Sequence, residues 1–223
     1  MTNYPFSWDL FAQLPIVGIM RHLTAEEVAT VLPICIDSGL TTIEITMNTT
    51  DAARIIREAT DRYPTQLNIG AGTVRTRTDL NKAISAGAQF IVTPTLNEQV
   101  MEACVAQNIP IFPGAFTPTE IEWAWMLGAS LVKVYPAGVL GPGYIRDIKA
   151  PLDDVKLLPT GGIGLDDLAA YQKAGADGVG MGGQLFDKIL LKNKDWNGLK
   201  AHFRAVVNGW VSNQIVSRIN SDL

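Results

Sequence analysis

The feature that most constrains this chain is a strict alternation. Short apolar runs (Pro15 to Arg21, Thr42 to Met47, Leu67 to Thr73, Phe90 to Pro94, Pro110 to Pro113, Leu131 to Tyr135, Val155 to Thr160 and Gly178 to Met181) are separated by segments such as Ala25 to Asp37, Thr50 to Tyr63, Asp79 to Ala86, Glu98 to Gln107 and Thr119 to Leu127, whose apolar residues recur at helical spacing. Strand and helix taken in turn imply a parallel sheet. A repeated punctuation agrees: Gly39, Gly87, Gly128 and Gly175 each stand between a helical segment and the next run, where glycine accepts the left-handed conformation that ends a helix. Eight such units predict a compact (β/α)8 TIM barrel, an α/β fold, with Tyr4 to Gln13 as an additional N-terminal helix. An open doubly wound sheet is the competing architecture.

With 223 residues, of which 47% are hydrophobic and 18% charged, the chain can bury a full core. No Ser/Gly/Pro-rich linker or charge block divides it, so residues 1–223 are read as a single barrel domain. The net charge is −4 and the cations are scattered singly, which argues against a nucleic-acid or anionic-membrane partner and for a small molecule. The N-terminus lacks a signal-like apolar core and no run reaches the length of a membrane span, so a soluble, cytoplasmic protein is expected. Cys35 and Cys104 sit singly in apolar helical patterns and read as buried reduced thiols. Only His22 and His202 occur, which leaves little from which to build an imidazole zinc site; no metal is expected. The sequon at Asn48-Thr49-Thr50 carries no weight without a secretory signal.

Barrels of this kind carry their chemistry at the C-terminal ends of the strands. There, Lys133 interrupts an otherwise apolar strand; burial of an ammonium lowers its pKa and yields a neutral, nucleophilic amine. Its bland reading is a strand-end lysine that extends its tip into water. Glu44, Thr46 and Asn48 alternate with Ile43, Ile45 and Met47, so the polar set faces the barrel axis. Glu44 is costly to bury alone, and Lys133 is its natural partner. Such a pair either satisfies itself or moves protons while the amine bonds to a carbonyl carbon. Arg21, Thr73 and Pro94 end strands one, three and four, and Tyr135 follows Lys133. Arg21 can hold a substrate carboxylate with its planar fork or form a salt bridge. Thr160, Gly161 and Gly162 after strand seven, with Gly182 and Gly183 after strand eight, lie where such barrels bind phosphate, although these glycines can equally only shape turns. Gly178, Gly180 and Gly183 also spell a GxGxxG, but no βαβ unit with a ribose-binding acid follows, so a dinucleotide site is discounted. Trp123, Trp125 and Met126 on one helix read as core or subunit interface, and Leu199 to Ile219 as a closing helix.

In order along the chain, Ile19-Met20-Arg21, Glu44-Ile45-Thr46-Met47-Asn48, Gly70-Ala71-Gly72-Thr73-Val74, Phe90-Ile91-Val92-Thr93-Pro94, Pro113-Gly114, Lys133-Val134-Tyr135-Pro136-Ala137 and Pro159-Thr160-Gly161-Gly162-Ile163 closely resemble the 2-keto-3-deoxy-6-phosphogluconate (KDPG) and 4-hydroxy-2-oxoglutarate (KHG) aldolase family. The resemblance implies a class I aldolase, usually a homotrimer, that needs no cofactor and cleaves KDPG to pyruvate and glyceraldehyde 3-phosphate in the Entner–Doudoroff route of carbohydrate metabolism. Some members also cleave 4-hydroxy-2-oxoglutarate to pyruvate and glyoxylate. It implies that Lys133 forms the Schiff base and Glu44 is the general acid/base, that Thr73 and Pro94 line the pyruvyl pocket, that Tyr135 replaces the usual phenylalanine, and that Thr160, Gly161 and Gly162 hold phosphate. Two departures stand out. Asn48 stands where gluconate-type members often carry an arginine, and together with Arg21 it looks more like the 2-keto-3-deoxy-6-phosphogalactonate aldolases. Gly183-Gln184 stands where many members have a phosphate-binding serine. A non-catalytic phosphate-binding barrel is the remote alternative.

Overall fold

The computed structural model describes residues 5–221, with side chains to residue 213. Strands β1 (Ile16–Met20), β2 (Thr42–Thr46), β3 (Asn68–Gly72), β4 (Ile91–Val92), β5 (Ile111–Phe112) and β8 (Val179–Met181) form one parallel curled sheet in the order β5-β4-β3-β2-β1-β8, while β6 (Gly114–Ala115) pairs with β7 (Lys133–Val134). Helices α1 (Trp8–Gln13), α2 (Ala25–Ser38), α3 (Ala52–Arg62), α4 (Arg77–Ser85), α5 (Glu98–Ala106), α6 (Pro118–Met126), α7 (Gly141–Lys149), α8 (Leu168–Lys173), α9 (Lys188–Lys192) and α10 (Trp196–Ser221) complete the chain. The expected N-terminal helix begins at Trp8, and Tyr4 lies outside the described residues.

The expected fifth strand is split into β5 and β6 by Pro113, and the expected seventh is reduced to bridges at Leu157 and Thr160. Proline explains both, since it lacks the N–H that a ladder needs. The barrel still closes. Val132, Leu158, Val134 and Thr160 exchange backbone hydrogen bonds between the sixth and seventh segments. On the other side of the seventh segment Gly180 donates to the Pro159 carbonyl, and the Asp177 carboxylate accepts the Leu157 N–H at 2.8 Å.

Side chains of alternate residues fill the interior. Val17, Ile19, Phe90, Val92, Phe112, Leu131 and Leu158 form one buried cluster, and Phe6 and Phe11 close its N-terminal end, with the Phe6 ring centroid 5.3 Å from that of Phe90. Ser7 and Asn68 exchange hydrogen bonds at 2.8 and 2.9 Å, tying this plug to β3. The other parity, including Ile43, Ile45, Ile69 and Ile91, joins the larger core beneath the helices. Helices α2, α4 and α6 begin with complete capping boxes, at Thr24/Glu27, Thr76/Asp79 and Thr117/Glu120, which place each strand-to-helix loop at the same rim.

Cys35 and Cys104 are buried free thiols, and burial raises the pKa of both. No helix among the described residues is long and apolar enough to cross a membrane. Among the described residues, no group of three or more His, Cys, Asp or Glu side chains is placed to hold a metal ion.

Candidate functional site

Glu44 and Lys133 project into the barrel interior at its C-terminal end, and they are 1% and 4% exposed. Neither Glu44 oxygen has a hydrogen-bond partner among the described residues, and the two side chains form no direct ion pair. Burial raises the Glu44 pKa against the opposing pull of Lys133 and Arg21. Burial, helped by Arg21 and opposed by Glu44, lowers that of Lys133. Desolvation therefore moves both groups toward their neutral forms, an amine beside a carboxylic acid. Such a pair can attack a carbonyl carbon and supply a proton to the oxygen it displaces.

Space for the carboxyl comes from Gly72, where a Cβ would overlap it outright. Thr73 follows with φ 55°, a left-handed backbone unusual for a β-branched residue, pinned as the Val74 N–H donates to the Val92 carbonyl. The Tyr135 ring covers the amine, its centroid 5.2 Å from Lys133 Nζ. Gly161, with φ 93°, provides the seat for that ring, since a Cβ there would stand 3.1 Å from its edge.

Tyr135 is 41% exposed and divides the barrel mouth into two lobes. The wide lobe, about 670 Å³, joins the ends of the first, seventh and eighth strands; Arg21, Gly161, Gly162, Gly182, Gly183 and Gln184 line it together with Lys188 and Lys192 of α9. The narrow lobe, about 380 Å³, is lined by Pro94, Thr95, Leu96, Gly114 to Phe116, Glu120, Tyr135 and Pro136.

Most of the residues expected from sequence thus converge at one rim. Thr46 is buried and its hydroxyl is 3.0 Å from that of Thr49. Thr160 is buried and donates its hydroxyl to the Leu158 carbonyl, so the donors free to face an anion there are the N–H groups of Gly161, Gly162 and Ile163, which bond to nothing among the described residues. Asn48 is exposed beyond β2 and, like Thr73, lines neither lobe. Sequence reasoning passed over Lys188 and Lys192. Their signal was an i,i+4 pair of cations directly after the Gly182-Gly183 turn, at the catalytic end of a barrel strand.

Of the helix-six residues expected in core or interface, Trp125 packs on the core and donates to Asp154, while Trp123 and Met126 are exposed.

Residues 9–202 match the family model described as KDPG and KHG aldolase. The 2-dehydro-3-deoxy-phosphogluconate aldolase of Haemophilus influenzae is 34% identical over 198 residues, covering 88% of this chain and 92% of that protein. The 2-dehydro-3-deoxy-6-phosphogalactonate aldolase of Escherichia coli (strain K12) is 33% identical over 175 residues, 78% of this chain and 85% of that protein. The solved structure described as native KDPGal superposes with a TM-score of 0.84 at 29% identity, covering 90% of this chain and 96% of that one. The chain belongs to the KDPG and KHG aldolase family of carbon–carbon lyases.

Proposed function

We propose that this member of the KDPG and KHG aldolase family is a class I aldolase, acting as one barrel domain, that cleaves 2-keto-3-deoxy-6-phosphogluconate to pyruvate and glyceraldehyde 3-phosphate through an imine on Lys133. The observation that carries the reading is the buried Lys133–Glu44 pair, in which desolvation favours a neutral amine beside a neutral acid. The amine attacks the C2 ketone, and Glu44 protonates the departing hydroxyl, which leaves as water. Having given up that proton, Glu44 is a carboxylate, and the iminium cation beside it keeps it in that form for the next step. That carboxylate removes the C4 hydroxyl proton as the C3–C4 bond breaks, and the bonding electrons pass into the iminium as an enamine. Protonation at C3 and hydrolysis release pyruvate and the amine. A relative from Legionella pneumophila, 25% identical with a TM-score of 0.80, is a KDPG aldolase described with pyruvate captured as a covalent carbinolamine, which supports this chemistry.

In this reading Pro94 and Thr73 bound the pyruvyl end, with Thr46 and Tyr135 beside the amine, and the wide lobe takes the phosphate through Gly161, Gly162, Gly182, Gly183 and the turn at Thr160. Cleavage of 4-hydroxy-2-oxoglutarate would use the same pair. A homotrimer in the cytoplasm completes the proposal; a neighbour with a TM-score of 0.87 is a designed cage built from symmetric oligomeric domains, which supports oligomerisation. Incubation with pyruvate and borohydride, followed by peptide mass analysis, tests the central claim, and absence of an adduct on Lys133 would overturn it.

A second reading, the 2-keto-3-deoxy-6-phosphogalactonate epimer, is favoured by one contact. The His22 N–H donates to Thr49 Oγ1 at 3.0 Å, tying the loop that carries Arg21 to the loop that carries Asn48. The cation on the first loop can thus stand in for one absent from the second. Cleavage rates for the two C4 epimers decide between the readings.

A further inference from the structure

The charges around the wide lobe are unequal. Arg21 enters it from the end of β1, and Lys188 and Lys192 enter from α9, one helical turn apart. Among the described residues Glu27 is the one carboxylate on its lining, and that group is already engaged: its Oε2 accepts from the Thr24 N–H at 2.7 Å and the Thr24 hydroxyl at 2.9 Å. His22 and Tyr135 are the other titratable groups on the wall. A concave space with three cations and one committed anion carries a positive field, and it selects ligands of concentrated negative charge. The facing wall, Gly161 and Gly162, presents backbone N–H groups and no side chain, so it adds donors without counter-charge. Thr160 does not offer its hydroxyl hydrogen to the lobe, and Gln184 brings a neutral amide.

We infer that Lys188 and Lys192 are specificity-determining residues that hold the terminal phosphate dianion of the substrate, the two lysines supplying from α9 the charge that the glycine turns lack. This rests on the reading of the protein as an aldolase of phosphorylated keto acids and assigns residues to its phosphate end. Lysine acts here as a mobile point charge, in contrast to the fixed fork of Arg21. That suits a phosphate on the flexible end of an open-chain substrate, whose distance from the imine varies as the C3–C4 bond breaks. The lysines consequently discriminate phosphorylated from unphosphorylated substrates and act on binding more than on bond breaking.

The test uses Lys188→Ala, Lys192→Ala, the double variant and the charge-retaining Lys188→Arg/Lys192→Arg pair. Calorimetric titration with glycerol 3-phosphate, with glycerol as the uncharged comparison, reads the phosphate site without turnover. Each alanine is expected to weaken glycerol 3-phosphate binding by about 10-fold, as loss of one charge-assisted contact does, with the arginine pair restoring most of it. In steady state, the ratio of KM for 2-keto-3-deoxy-6-phosphogluconate to KM for 4-hydroxy-2-oxoglutarate should rise by a similar factor per lysine. Unchanged glycerol 3-phosphate affinity in the double variant overturns the inference, as does an equal rise in both KM values. If the wild-type enzyme cleaved neither substrate, the aldolase reading would fail, while the calorimetric result would still decide the role of the lysines.

Discussion

The Glu44 carboxyl occupies the volume in which a side chain on Gly72 would stand. The two residues come from neighbouring strands, β2 and β3, with Glu44 level with Gly70 and Thr46 level with Gly72. The carboxyl thus leans along the barrel axis toward the mouth, over a glycine that leaves the space empty. Gly72→Ala should displace the carboxyl, lower turnover sharply and cost about 1–3 kcal/mol of stability, the range for overpacking an interior. Removing the obstacle should relieve most of that cost. In the Glu44→Ala background Gly72→Ala is expected to be nearly neutral, a coupling of about 1–3 kcal/mol between touching residues. Urea unfolding of the four proteins measures it, and an equal cost in both backgrounds would refute the packing relationship.

Glu44 also sets a pH dependence of stability. Its pKa is raised by burial, so the folded protein keeps a proton that the unfolded chain releases above the ordinary carboxylate range. Across the window from that range up to the raised value, the folded state binds more protons and loses stability as pH rises. Glutamine has no proton to release. Glu44→Gln should therefore gain stability relative to wild type as pH climbs through that window. Denaturant midpoints for the pair across this range provide the check; a difference that stays flat with pH would show that Glu44 titrates at its ordinary value.

The barrel and this pair were legible for the same reason: one strand-and-helix pattern recurs along the chain, and a charged residue in an apolar strand breaks it. Lys133 and Glu44 stand out because burial makes each of them costly. The split at Pro113 and the loss of a regular seventh strand at Pro159 were not read from the apolar runs, because hydropathy registers side chains and the effect comes from a missing backbone N–H. Lys188 and Lys192 were missed for a different reason. On a short helix a pair of cations looks like any solvated face, and only the position of α9 beside the first-strand loop turns them toward a cavity. Trp123 and Met126, read as core or subunit interface, are exposed in the single chain, so the core half of that reading does not apply to them.

The amine should report its surroundings through imine formation. Because the Lys133 pKa is lowered, the rate of borohydride trapping with pyruvate should rise with pH through a midpoint below the ordinary lysine range. Glu44 opposes the lowering and Arg21 contributes to it. Glu44→Gln should thus move the midpoint to lower pH although it removes the proposed acid/base, and Arg21→Gln should move it to higher pH. Opposite signs from two substitutions at one mouth are hard to produce by general damage. Midpoints that moved together, or stayed in place, would exclude the electrostatic coupling.

Closure of the barrel between its seventh segment and β8 combines two backbone hydrogen bonds, from Asp177 to Leu157 and from Gly180 to Pro159, with a side chain. Pro159 cannot donate, and the Asp177 carboxylate takes the Leu157 N–H at 2.8 Å while standing 3.5 Å from Lys149 Nζ. Lys149 in turn donates to the carbonyls of Asp153 and Val155, so one lysine and one carboxylate organise the approach to the seventh strand. Asp177→Ala leaves the Leu157 amide, a buried residue, without its acceptor and removes the counter-charge of Lys149. The expected loss is about 1–3 kcal/mol, most of it from the orphaned amide, because the partly exposed ion pair is screened by solvent. Asp177→Asn keeps a carbonyl oxygen for the Leu157 N–H and should recover most of the stability, which separates the hydrogen bond from the charge. Thermal unfolding of the two variants at low and high salt makes the comparison. Since the same strand carries Gly161 and Gly162 at its far end, Asp177→Ala should also raise KM for the phosphorylated substrate. Equal destabilisation by alanine and asparagine would show that charge, and not the amide, holds the seam closed.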